Sequence, residues 1–115
     1  MVALLQRLLR VAVLLLVALL VLWPRPALAT ADGAALFDLH CAGCHVNGGN
    51  IIRRGKTLKL AALERQGLAS PEAIAQVAAE GLGQMSGYGA VLGEGGPEAV
   101  AAYVWQQAEA GWPRA

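Results

Sequence analysis

His40-Cys41-Ala42-Gly43-Cys44-His45, read HCAGCH, holds both cysteines and both histidines of the 115-residue chain. Four chemistries use such residues: a zinc centre, a thiol redox couple, a structural disulfide and covalently attached haem. Zinc requires four ligands around a tetrahedron, ordinarily as two pairs well separated in sequence. Four candidates within six residues cannot surround one ion, because neighbours such as His40 and Cys41 do not both reach it. A thioredoxin-like dithiol belongs in a strand and helix alternation that is absent here. A disulfide between cysteines three apart closes a very short loop, gains little chain entropy, and leaves His45 without a role. Haem attachment uses every part of the motif. The thiols of Cys41 and Cys44, on one helical turn, add across the two vinyl groups, and His45 follows as the proximal iron ligand. His40, beside Cys41, cannot reach the far face of the iron and reads as a surface or core-edge histidine.

The chain upstream of the motif sets its compartment. Arg7 and Arg10 precede an unbroken apolar run over 11–22, and Ala27-Leu28-Ala29 supplies a small-x-small cleavage site. Residues 1–29 therefore read as a cleaved secretory signal and residues 30–115 as the mature domain. The apolar run alone is shorter than the roughly 20 residues a membrane span needs, and Pro24 and Pro26 follow it closely. No integral membrane segment is expected after cleavage. Export agrees with haem, since c-type attachment in bacteria is completed outside the cytoplasm. Once residues 1–29 are removed, six Lys and Arg face eight Asp and Glu. This mildly acidic balance carries no electrostatic footprint for nucleic acid. A domain of this size buries a modest core and often depends on a cofactor or cross-link.

Helix signals dominate the mature chain and no strand alternation extends beyond a few residues, so the fold class is all-α with about four helices. Asp32 is placed to cap a first helix that carries Leu36 and Phe37 into the cysteine motif. Thr57 is placed to cap a second, ending at Gly67. Ser70, Pro71 and Glu72 start a third, which Gly81 ends. A fourth runs from Pro97 to Gly111. Residues 46–56 and 82–96 show no periodicity and contain most of the 14 glycines. Loops this long in a small helical domain suggest backbone wrapped around something other than itself.

A thioether is the usual sixth ligand of an electron-transfer haem. Met1 lies in the signal, which leaves Met85 in the Gly-rich stretch Gly83-Gln84-Met85-Ser86-Gly87-Tyr88-Gly89. Met85 is thus the candidate axial ligand.

Taken together, these residues resemble class I cytochromes c, and more narrowly the cytochrome c6 family. Leu36-Phe37, the haem motif, Gly48-Gly49-Asn50, Lys56-Thr57-Leu58, Gln76-Val77, Met85, Tyr88-Gly89, Tyr103-Val104, Gln107-Ala108-Glu109 and Gly111-Trp112 carry the likeness over the whole mature chain. The resemblance implies helices wrapped around one haem c, with the first and last crossing near Leu36, Phe37 and Tyr103. It implies Lys56 at a haem propionate and a glutamine matching Gln76 against the ring. It implies a soluble monomeric one-electron carrier rather than an enzyme, working in photosynthetic electron transport in the thylakoid lumen or periplasm of a cyanobacterium. The implied donor is the cytochrome b6f complex and the implied acceptor photosystem I or a terminal oxidase. Ser86 and Val91 depart from the photosystem-donor pattern, which has Met-Pro and then an arginine. That departure fits a c6-like paralogue, donating to a terminal oxidase or acting in redox regulation.

Overall fold

The computed structural model describes residues 1–24 and 32–114. The expected cleavage point after Ala29 lies outside the described residues. Helix α1 (Val2–Leu22) buries none of its residues. It is also longer than the 11–22 run suggested: its 21 residues and apolar composition suffice to cross a membrane. Val2, Leu4, Leu5, Leu8 and Leu9 continue the helix between and beyond the two arginines. Length alone therefore does not separate a signal from an anchor here.

The domain that follows is built on α2 (Gly33–His40), α3 (Leu60–Arg65), α4 (Pro71–Glu80), α5 (Gly89–Leu92) and α6 (Gly96–Ala110). Two caps are those read from the sequence. The Asp32 carboxylate accepts from the Ala35 amide, and the Ser70 hydroxyl accepts from Ala73 with Pro71 in the first turn. The left-handed glycines Gly67, Gly81 and Gly111 follow α3, α4 and α6. The expected Thr57 cap is not formed. Helix α3 starts after Lys59, with no side-chain cap. The cause is long-range: Leu58 N donates to Gly48 O and Leu58 O accepts from Trp112 Nε1, which fixes the chain before the helix.

Residues 82–96, expected as a loop, instead contain a short hairpin and a helical turn. Strands β1 (Gly81–Leu82) and β2 (Met85–Ser86) form an antiparallel ladder with Leu82 opposite Met85. Gly83, at φ 59°, takes the first position of the two-residue turn, where a type II′ hairpin favours glycine. Helix α5 follows. Strands of two residues are too short to leave an alternating signature.

Helices α4 and α6 form the most extensive helix pair, and α2 crosses α6. On α6, Val100, Ala101, Val104 and Ala108 are buried along one face at helical spacing, and on α4 Ile74 and Ala78 are one turn apart. A side-chain cap contributes about 1 kcal/mol, whereas burying one Phe, Leu or Val contributes about 1.5–3 kcal/mol. Packing therefore decides which helices persist, and the uncapped α3 is held by buried Ala62 and Leu63.

The α2–α6 crossing forms where the sequence placed it, around Leu36, Phe37 and Tyr103. The Phe37 and Tyr103 rings lie 5.3 Å apart. Sequence reasoning missed Gly33. A Cβ there would run into the Ala99 carbonyl and lie 3.2 Å from Tyr103 Cβ, so the backbones meet only because that position has no side chain. Gly33→Ala should lower the stability of the haem-loaded protein by about 1–3 kcal/mol in thermal unfolding. Gly55→Ala, where a Cβ meets nothing within 4 Å, should change it by less than about 0.5 kcal/mol.

Candidate functional site

The cysteine motif lies just past the last residue of α2. Cys41 is the helix C-cap, and its amide and that of Ala42 both donate to Phe37 O. Cys44 N and His45 N donate to Cys41 O at 3.2 and 2.9 Å, so the motif is one closed turn that continues the helix. The chain then reverses through a 3-10 turn (Val46–Gly48), with Asn47 and Gly48 at φ 52° and 77°. Asparagine and glycine are the residues that adopt this left-handed conformation most readily. The reversal brings the Gly49 carbonyl to 2.8 Å from His45 Nδ1. A carbonyl only accepts, so Nδ1 is the donor in this contact, and in the neutral ring that leaves the lone pair on Nε2. This is the tautomer a metal-ligating histidine needs.

The turn opens onto a cavity of about 450 Å³. Cys41, Cys44 and His45 line it, as does Met85, supplied by the hairpin. Much of the remaining wall is apolar, with Phe37, Leu58, Leu63, Ile74 and Val104 among its residues, and among the described residues no Asp or Glu lines it. Protein interiors contain few voids larger than a water molecule, whereas cofactor sites are apolar concavities of about 300–1,000 Å³. Two thiols, an imidazole with Nε2 free and a thioether on the wall of such a cavity fit a covalently attached haem. Among the described residues no three His, Cys, Asp or Glu side chains converge as a metal-ion centre would need. Burial pushes the Cys41 thiol above its ordinary pKa, and the neighbouring Cys44 adds to the effect. Before attachment Cys41 is thus held as the thiol at neutral pH.

The remaining expected residues divide. Lys56 lines the cavity with an exposed side chain, and its backbone carbonyl accepts from Asn50 Nδ2 at 3.0 Å. His40 is half-buried on the cavity wall, its ring 6.5 Å from that of Tyr88. Gln76 is not at the cavity. It is exposed on α4, and its Nε2 donates to Glu80 Oε2 at 3.4 Å. Its neighbour Val77 lines the cavity in its place, because one residue along a helix rotates a side chain by about 100°. Of the two glutamines that do reach the wall, Gln84 stands in the hairpin turn and Gln66, whose Nε2 donates to Ala62 O, ends α3. Sequence reasoning missed Gln66, although it falls three residues after Leu63 on the apolar side of α3.

Comparison with known proteins agrees with this geometry. A family model described as cytochrome c oxidase, cbb3-type, subunit III, matches residues 28–104. A cytochrome c6-like protein of Nostoc sp. (strain PCC 7120) is 48% identical over 89 residues, 77% of this chain and 80% of that protein. The crystal structure of cytochrome c6B from Synechococcus sp. WH8102 superposes with a TM-score of 0.72 at 62% identity, covering 76% of this chain and 99% of that one. Cytochrome c6C from Synechococcus sp. PCC 7002 superposes with a TM-score of 0.66 at 51% identity, covering 69% and 96%. The cavity, its two thiols and imidazole, and these likenesses together make the chain a member of the cytochrome c6 family, a class I cytochrome c that carries one covalent haem c and transports electrons.

Proposed function

We propose that this chain is exported by a cleaved signal, residues 1–29, and that residues 30–115 work as a monomer in the thylakoid lumen or periplasm of a cyanobacterium. There it carries single electrons from the cytochrome b6f complex to photosystem I and makes no bonds on a substrate. The observation that carries this reading is the convergence of Cys41, Cys44, His45 and Met85 on one cavity from separate elements.

In this assignment Cys41 and Cys44 would hold the ring through thioethers, His45 and Met85 would ligate the iron, and Lys56 would bond a propionate. The bound haem supplies one-electron ferrous–ferric chemistry. The chain supplies rigidity and a dry environment. Gly49 O keeps the His45 ring from rotating, the ladder fixes the backbone of Met85, and the apolar wall excludes water. Ligation closed in both oxidation states leaves little to reorganise during transfer. The small surface around the cavity mouth suits a transient interface steered by charge.

A second reading has its own observation. Val91 is an exposed apolar residue on α5, and Ser86 follows Met85 in β2. This chain lacks the arginine of the photosystem-donor pattern, and its relatives include proteins named c6-like, c6B and c6C. On this reading the electrons go to a terminal oxidase or serve redox regulation.

Flash kinetics separates the two. Re-reduction of photooxidised photosystem I by micromolar ferrous protein is expected for the donor, and its absence would assign the chain to the paralogue group. A second prediction concerns the cavity wall. Val77→Gln places a carboxamide dipole in the cavity and should move the reduction potential by on the order of tens of millivolts. Gln76→Val, at an exposed position outside the cavity, should leave it unchanged in the same voltammetric measurement.

A further inference from the structure

Arg53, Arg54, Lys56 and Lys59 are four of the six Lys and Arg in residues 30–115, and no Asp or Glu occurs between Asp38 and Glu64. A domain with a net negative charge thus carries one segment of undiluted positive charge. The fold brings that segment to the cavity. Asn50 fixes its path: Oδ1 accepts from the Ile52 and Arg53 amides at 2.9 and 2.8 Å, and Nδ2 donates to Lys56 O. Arg53 and Lys56 line the cavity and are exposed, so they stand at its mouth. Arg53 Nε donates to Gln84 Oε1 at 3.4 Å, which lays the guanidinium toward the hairpin that carries Met85. Ile52 and Leu82, 63% and 53% exposed, supply apolar surface at the same mouth. Val91, where the resemblance led one to look for an arginine, lines no part of the cavity.

We propose that residues 51–56, together with Leu82, are the docking surface for an electron-transfer protein whose own surface is acidic around its redox centre. The proposal rests on the carrier reading above and names the chemistry of its partner. Arg53, Arg54 and Lys56 steer the approach, and Ile52 and Leu82 make the dry contact. The positive charge this chain lacks at α5 is thereby provided at the cavity mouth, by the segment that follows the 3-10 turn. An acidic protein fits better than an anionic bilayer, because lipid seated here would cover the mouth through which electrons must pass.

Stopped-flow oxidation of the ferrous holoprotein by two small complexes tests the surface without the partner. Hexacyanoferrate(III) is an anion and tris-phenanthroline cobalt(III) a cation, and each takes one electron. At low ionic strength R53E/R54E should slow the anion about tenfold and speed the cation. Arg65→Glu makes the same charge change as Arg54→Glu alone, half that of R53E/R54E, on an exposed residue of α3 that does not line the cavity. It should alter either rate by less than about twofold. The differences should vanish at 1 M salt, where the Debye length is about 3 Å. Arg54→Glu alone, which leaves the Arg53 to Gln84 bond in place, should show the same signs at smaller size. With photosystem I as acceptor, R53E/R54E should lower the second-order rate constant about tenfold. If the unsubstituted protein does not reduce photosystem I either, the acceptor assignment fails while the small-ion rates still judge the surface. Equal small-ion rates for R53E/R54E and Arg65→Glu would overturn the proposal. So would binding to phosphatidylglycerol vesicles that R53E/R54E abolishes, since the surface would then belong to lipid.

Discussion

The indole of Trp112, laid against Gly48, is the contact on which the rest of the domain depends. A Cβ at residue 48 would strike the ring, so the fit requires glycine at that point of the turn. From this contact the structure can be followed both ways. On one side Gly48 and its neighbour Gly49 form the turn whose carbonyl holds His45 Nδ1. On the other, Trp112 packs on Phe37 at 5.5 Å and Tyr103 at 6.2 Å, and so reaches the α2–α6 crossing. Its Nε1 donates to Leu58 O, which ties down the chain entering α3. One side chain thus links the end of α6, the helix crossing, the turn that orients the His45 imidazole and the start of a third helix.

Such economy suits a domain whose interior is not made of protein alone. The helices surround a cavity rather than meeting in a filled core, and several of its walls are also core residues: Phe37, Leu63, Ile74 and Val104. Most of these helices are short. Helices of six to ten residues are marginal in water on their own, so they depend on burial against each other and against the haem. The same arrangement serves electron transfer. Side chains that hold the fold also fix the ligand positions, and a site that cannot relax costs little to reoxidise or reduce.

Much of this was legible in local sequence. HCAGCH specified the cofactor because each of Cys41, Cys44 and His45 has a defined chemical task at that spacing. Asp32 and Ser70 announced their helices because capping is a contact between residues three apart. What escaped depended on distant partners. Thr57 resembles a cap, yet Gly48 and Trp112 claim the backbone of Leu58 and postpone the helix. Gly33 carries no local signal for a crossing with Ala99. The choice between Gln76 and Val77 is a matter of which neighbour faces inward, and both are compatible with a helix whose buried residues are Ile74 and Ala78. The hairpin that presents Met85 spans too few residues for a periodic pattern, although Gly83 marks its turn.

On the reading proposed above, Met85 on the hairpin would complete the iron's ligand set together with His45. The ferric protein should show the weak long-wavelength band of thioether-to-iron charge transfer. In Met85→Ala that band should vanish and the reduction potential should fall by on the order of 100 mV or more, since thioether ligation raises it. A Met85→Ala protein with an unaltered spectrum and potential would contradict the account.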